Sequence, residues 1–155
     1  MKLLYALALL ATLGLVLTPL SEAGNQDKGD KKQKDKGETK PGDNLDGVWT
    51  VASVEVAGKK VPNESAKLTV KGNTFTLDIG GKSIKGTYKA DASKTPKEVT
   101  SFFDDGMNNK IQIDSIYELK GDTMRVCGGL GKDRPKEFSS TPENGYELVT
   151  YKRAK

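Results

Sequence analysis

From Gly47 onward the dominant repeat of apolar residues is two, and that period restricts what the chain can fold into more than any other feature. "FTLDI" (75–79) sets Phe75, Leu77 and Ile79 against Thr76 and Asp78, and "SIKGTYK" (83–89) sets Ile84, Gly86 and Tyr88 against Ser83, Lys85 and Thr87. "KIQIDSIYEL" (110–119), "DTMRV" (122–126) and "YELVTYKR" (146–153) behave in the same way. Strands with one apolar and one polar face produce this pattern. Between them stand Lys71-Gly72-Asn73, Gly80-Gly81, Lys120-Gly121-Asp122 and Asn144-Gly145, short turns of residues that tolerate positive φ. Strands are predicted near 47–57, 66–71, 74–79, 83–90, 97–103, 110–119, 122–127 and 146–153, with a short extra piece at Glu137 to Ser140. No stretch beyond residue 44 carries a 3.6-residue stripe of helical length, although 61–68 has the makings of one helical turn.

Sequential antiparallel strands joined by tight turns leave two exposed edges unless the meander closes on itself. The predicted fold is therefore all-β, an eight-stranded antiparallel up-and-down barrel. A two-sheet sandwich is the alternative, but sandwiches need longer crossovers than most of these turns allow. Only residues 128–144 make a long connection.

The N-terminal part reads as an address. Lys2 precedes an apolar run from Leu3 to Leu17, and Ser21 and Ala23 stand at the small-residue positions before a cleavage site after Ala23. The run is shorter than the ~20 apolar residues of a spanning helix. Residues 1–23 are thus expected to be a signal peptide that is removed, leaving an exported chain, periplasmic or secreted, with no membrane span. Residues 24–44, "GNQDKGDKKQKDKGETKPGDN", hold six Lys against five acidic residues and no large apolar side chain. Such a segment cannot bury enough surface to offset the entropy of ordering and reads as a disordered tether. The barrel domain is assigned to 45–155.

The only tryptophan opens that domain, in Gly47-Val48-Trp49, and an arginine, Arg153, closes its last strand. The pair resembles the lipocalin signature, in which the tryptophan plugs the closed end of the barrel and the arginine stacks across it. Over 45–153, "LDGVWTVASVEVAGKKVP", "GTYKAD", "KTPKEV", "SIYELKGDTMRVC" and "GKDRPKEFSS" resemble a family of small secreted or envelope domains of planctomycete bacteria, described as lipocalin-like and of unknown function. The chain departs from that pattern at Ser115, where glycine is expected before the Ile-Tyr pair. The resemblance implies structural roles for Gly47, Trp49 and Arg153, and it names no activity.

The composition removes several function classes. There is no histidine, hence no common general base or metal ligand and no Ser–His or Cys–His arrangement. The single cysteine, Cys127, cannot form an internal disulfide and reads as a small buried hydrophobe. The formal net charge is +4, with lysines scattered among acids rather than clustered with aromatics, so no nucleic-acid partner is expected. "FFDDGMNNK" (102–110) gathers Asp104, Asp105, Asn108 and Asn109, but the spacing is not that of a calcium loop and reads as a hairpin turn. No catalytic residue, cofactor or metal site is expected, and the protein is not expected to be an enzyme. A monomer is expected.

Two readings remain. In the first the barrel holds a small, mostly apolar ligand. Phe75, Leu77, Ile84, Tyr88, Phe103, Ile113, Tyr117 and Met124 would line it, with Arg125 or Arg134 at the mouth. Arg134, stiffened by Pro135 in the long loop, can receive a ligand carboxylate or pair with Asp104, Asp105 or Glu137 to pin that loop. Ser53 and Glu55 share the inward face of Trp49 if no bulge intervenes, with Arg125 as partner to the glutamate. In the second reading the barrel is filled by side chains, and the protein is a ligand-free envelope interaction or structural domain.

Overall fold

The computed structural model of the protein describes residues 43–62, 65–104 and 109–155. Residues 1–23, expected to be a signal peptide, and residues 24–42 of the expected tether lie outside them. The described residues form nine strands and no helix: β1 (Gly47–Val56), β2 (Lys59–Val61), β3 (Lys67–Lys71), β4 (Thr74–Ile79), β5 (Lys82–Asp91), β6 (Lys97–Asp104), β7 (Lys110–Lys120), β8 (Thr123–Gly128) and β9 (Glu147–Arg153). From β3 to β9 each strand pairs antiparallel with the next, and β1 closes the ring by pairing with both β3 and β9. The result is a closed eight-stranded barrel plus one extra strand. The extra strand, β2, lies against the second half of β1, from Val54 to Val56, while β3 takes the first half, from Gly47 to Thr50.

β2 is the one strand that the alternation does not announce. It is reached by a turn at Ala57 (φ 51°) and Gly58 (φ 73°), both left-handed. Alanine in that conformation costs roughly 1–2 kcal/mol, so nothing in its chemistry advertises a turn. Of the segment 61–68, where a helical turn is expected, Val61 lies in β2 and Lys67 and Leu68 in β3, Pro62, Ser65 and Ala66 have no regular structure, and residues 63 and 64 lie outside the described ones. The extra piece expected at Glu137 to Ser140 does not pair as a strand.

β1 also contains a bulge. Val51 stands opposite Tyr151 but Ser53 opposite Thr150, so one residue of β1 is unmatched and the faces exchange. Val54 thereby comes opposite Val149 on the inner face, and Glu55 comes opposite Leu148 on the outer one. The interior Ser53–Glu55–Arg125 arrangement expected from an unbroken strand does not form.

The turns sort the barrel into two ends. The start of β1, the end of β9 and the β3–β4, β5–β6 and β7–β8 turns define one end, and the other hairpins and the β8–β9 loop define the other. The main core fills the first end with Leu45, Trp49, Val70, Tyr88, Val99, Tyr117 and Met124. A second, smaller core lies outside the barrel wall, where Ile116, Cys127 and Leu148 are covered by Phe138 and Tyr146 of the β8–β9 loop. That long loop is therefore a strap along the outer surface.

Candidate ligand cavity

The closed base is built around Trp49, which is fully buried. Its indole N–H donates to the Leu45 carbonyl at 2.9 Å, leaving no buried donor unpaired. The Arg153 guanidinium carbon lies 4.1 Å from the indole ring centroid, in cation–π contact. Arg153 also donates to the carbonyls of Asp46 (2.5 Å) and Asn44 (3.2 Å) and pairs with Asp122 at 3.4 Å. Gly47 is explained by the same arginine. Its φ is +134°, and a β-carbon there would stand 2.7 Å from Arg153 Nη1. The glycine two residues before the tryptophan is the space the guanidinium occupies.

Two tyrosines complete the base. Tyr88 donates its hydroxyl to the Gly72 carbonyl at 2.7 Å, and Tyr117 donates to Asp43 Oδ2 at 2.8 Å. Asp43 in turn forms an ion pair with Lys97 at 2.7 Å. Burial raises the Asp43 pKa, but the hydrogen bonds from Lys97 and Tyr117 and the Lys97 charge outweigh it and hold the carboxyl below its ordinary range. Burial and the Asp43 carboxylate push the Tyr117 phenol well above its usual value. Asp43 and Asn44, assigned to the tether from composition, thus belong to the folded unit.

Above this base the barrel is hollow. A cavity of about 260 Å³ opens towards the other end, near the lower limit of small-molecule sites, which run from roughly 300 Å³ upward. All eight side chains expected inside from the alternation line it: Phe75, Leu77, Ile84, Tyr88, Phe103, Ile113, Tyr117 and Met124. Phe75 and Phe103 meet edge to face with centroids 6.4 Å apart. The Phe75 ring needs Gly86, where a β-carbon would fall 2.6 Å from it. Ser115, where glycine is expected from the family pattern, is fitted by another glycine: a β-carbon on Gly128 would lie 2.1 Å from its hydroxyl.

No family model matches the chain, and neither a curated protein nor a solved structure matches it. The chemistry has to be read from the cavity.

The two arginines expected at the mouth are elsewhere. Met124 and Val126 face the cavity, which puts Arg125 on the outer face, 3.8 Å from Glu118 and stacked 5.0 Å over the Phe138 ring. Arg134 lies against the outside of β6 and β7. It donates to the Val99 carbonyl (3.0 Å), the Ser115 carbonyl, Thr100 Oγ1 (2.7 Å) and Asp114 Oδ1 (2.8 Å), and pairs with Glu98 at 3.5 Å. Thr100, Gln112 and Arg134 together hold the Asp114 carboxyl below its ordinary range. Arg134 does pin the loop, as one of its two expected roles required, but through Glu98 and Asp114 rather than Asp104 or Glu137. Of the acidic turn at 104–109, residues 105–108 lie outside the described ones.

Cys127 is fully buried in the outer core, its thiol near the Ser139 carbonyl at 3.5 Å, and burial pushes its pKa up. A thiol held protonated and covered is a packing element.

The residue that the sequence reading passed over is Glu147. It starts β9, on the inner face shared with Val149 and Tyr151, and lines the cavity. Its cross-strand neighbours are Val56 on β1 and Gly128 on β8, neither of which can pair with a carboxylate side chain. Burial raises its pKa from 4.5 to about 7. Burial and this carboxylate together raise the Tyr151 phenol to about 12. With Ser101 and Ser115, Glu147 supplies the polar points of an otherwise apolar chamber.

Proposed function

We propose that the protein is an exported, non-catalytic binding module that holds a small, mostly apolar ligand in the open half of its barrel. The hollow upper half carries the binding reading, while the export and the kinship with the lipocalin-like planctomycete domains rest on the sequence alone. Filled interiors are the default for an eight-stranded barrel this short. Here the closed base satisfies every polar group it buries, while an apolar chamber with a few fixed polar points is left above it, the usual composition of a ligand site. By the ~30 Å³ share of a water in liquid, the chamber corresponds to about nine waters, or a ligand of about ten non-hydrogen atoms.

Native mass spectrometry of the protein purified from its own envelope tests the reading. A co-purifying small molecule is expected, absent from Ser101→Phe, in which the added ring occupies the chamber. A bare mass, together with no uptake of any apolar probe of eight to ten heavy atoms (about the chamber's capacity), would return the protein to the class of ligand-free interaction domains.

A further inference from the structure

The lining of the chamber is unequal in charge. None of its side chains is a lysine or arginine, and Glu147 is its one carboxylate. The basic residues of the open end include Lys59, which stands across Val56 from Glu147 on β2, and Lys82, Lys110 and Lys132; all four are exposed, and none forms an ion pair with Glu147. From the packed elements, β1 presents Val56 and β8 presents Gly128, and the only titratable group acting on Glu147 along its own strand is Tyr151. The other two phenols in the lining are already engaged, Tyr88 with Gly72 and Tyr117 with Asp43. A carboxylate that faces an apolar space without a cation is costly to keep charged, whereas the Asp43 carboxylate of the closed end is paired with Lys97 and Tyr117. Among the described residues Glu147 therefore has no counter-charge.

We infer that the ligand is an amphipathic amine, with its ammonium group at Glu147 near the mouth and its apolar part against Phe75, Phe103 and Ile113. The inference rests on the binding-module reading and adds the chemical class. It excludes fatty acids and other carboxylates, whose head group would meet a like charge with no basic side chain beside it. A charge-assisted N–H···O bond inside a weakly polar chamber is stronger than a neutral one, so the amine is preferred over an alcohol of the same length.

Calorimetric titration with n-octylamine, n-octanol and octanoate separates the two levels of the claim. The expected order is octylamine tighter than octanol by about tenfold or more, which is about 1.4 kcal/mol, since a hydrogen bond to a charged group outweighs a neutral one, with octanoate weakest. Glu147→Gln should lose the preference for the amine and keep the affinity for octanol. In the unsubstituted protein, which involves no folding risk, octylamine affinity should fall as pH drops below about 7, while octanol affinity stays level. Equal binding of amine and alcohol, a pH-independent amine affinity, or tighter binding of octanoate would overturn the amine assignment and leave the binding module standing. No uptake of any of the three by either protein would overturn both.

Discussion

The two ends of this barrel follow opposite rules for polar groups. At the closed end the buried and half-buried polar side chains are partnered: Trp49 with Leu45, Arg153 with the indole face, Asp46 and Asp122, Tyr117 with Asp43, and Asp43 with Lys97. At the open end Glu147 has no ion-pair partner among the described residues and faces aromatic and aliphatic carbon. The difference separates what holds the fold from what is left for a ligand. It also reverses the sign of the pH response. Asp43 and Asp114 have lowered pKa values, so their contribution is present above the ordinary carboxylate range and is lost as acid protonates them. Glu147 has a raised pKa, so the native state is favoured at low pH and loses that advantage as the group ionises.

The largest expected effect lies at the closed end. Trp49→Ala removes a fully buried indole and should cost on the order of 3–5 kcal/mol, measured by denaturant unfolding. Arg153→Ala should cost about 1–2 kcal/mol through lost stacking and hydrogen bonds. The double variant should cost less than the sum, because either change already removes the contact between them. Strict additivity would mean that the stacked pair contributes nothing of its own. Gly47→Ala should cost more than Arg153→Ala, since its methyl group displaces the guanidinium and the backbone at φ +134° is strained for any side chain.

Next comes the strap. Arg134→Ala strips donors from two carbonyls, Thr100 and Asp114 on the outside of the barrel. Hydrogen bonds to charged groups are strong enough that a loss of about 2–3 kcal/mol is expected. Ligand uptake should persist in the folded protein, because the guanidinium lies on the far side of the wall from the cavity. A variant that stays fully stable but no longer takes up ligand would place the binding site on the outer surface and undo the contrast between the ends.

How much of this was legible follows from the reach of each signal. Alternation is local and survives into the fold, so it identified eight strands and every predicted lining residue from Phe75 to Met124. The Trp49–Arg153 pair was legible through the signature that it resembles, and barrel closure, which makes the first and last strands neighbours, is what brings the two together. The bulge in β1 was not, since one unmatched residue leaves no mark on composition, and it moved Glu55 from the inner to the outer face. Ala57 likewise hides a left-handed turn behind an ordinary residue. The destination of Arg134 depends on which outer face a long loop crosses, and that is set by distant pairing with Glu98 and Asp114. Arg125 and Glu147 are different cases. Their positions were readable from phase alone: Met124 and Val126 inside put Arg125 outside, and Val149 and Tyr151 inside put Glu147 with them. An inward-phase carboxylate was the signal for the site, and an apolar reading of that strand face obscured it.

The smallest expected effect is the one that joins the two ends. In Glu147 the carboxyl titrates near 4.5 when unfolded and at about 7 in the barrel. Its contribution to stability is therefore full below about pH 4.5, declines across the interval, and is gone above about pH 7. The displacement caps the loss at about 3 kcal/mol, and water in the open chamber screens it to on the order of 1–2 kcal/mol. Glu147→Gln has no charge to bury, so it should match the unsubstituted protein near pH 4 and exceed it by that amount near pH 8, as read from unfolding midpoints at the two values. The acid limb set by Asp43 and Asp114 should be unchanged in the variant, because both lie away from the mouth. Octylamine should close the same gap in the unsubstituted protein at pH 8 by supplying the counter-charge that Glu147 lacks, and it should do nothing for Glu147→Gln beyond what octanol does. If the variant instead unfolds at the same midpoint as the parent at every pH, the carboxylate is solvated rather than confined, and the open end differs from the closed one in shape but not in charge.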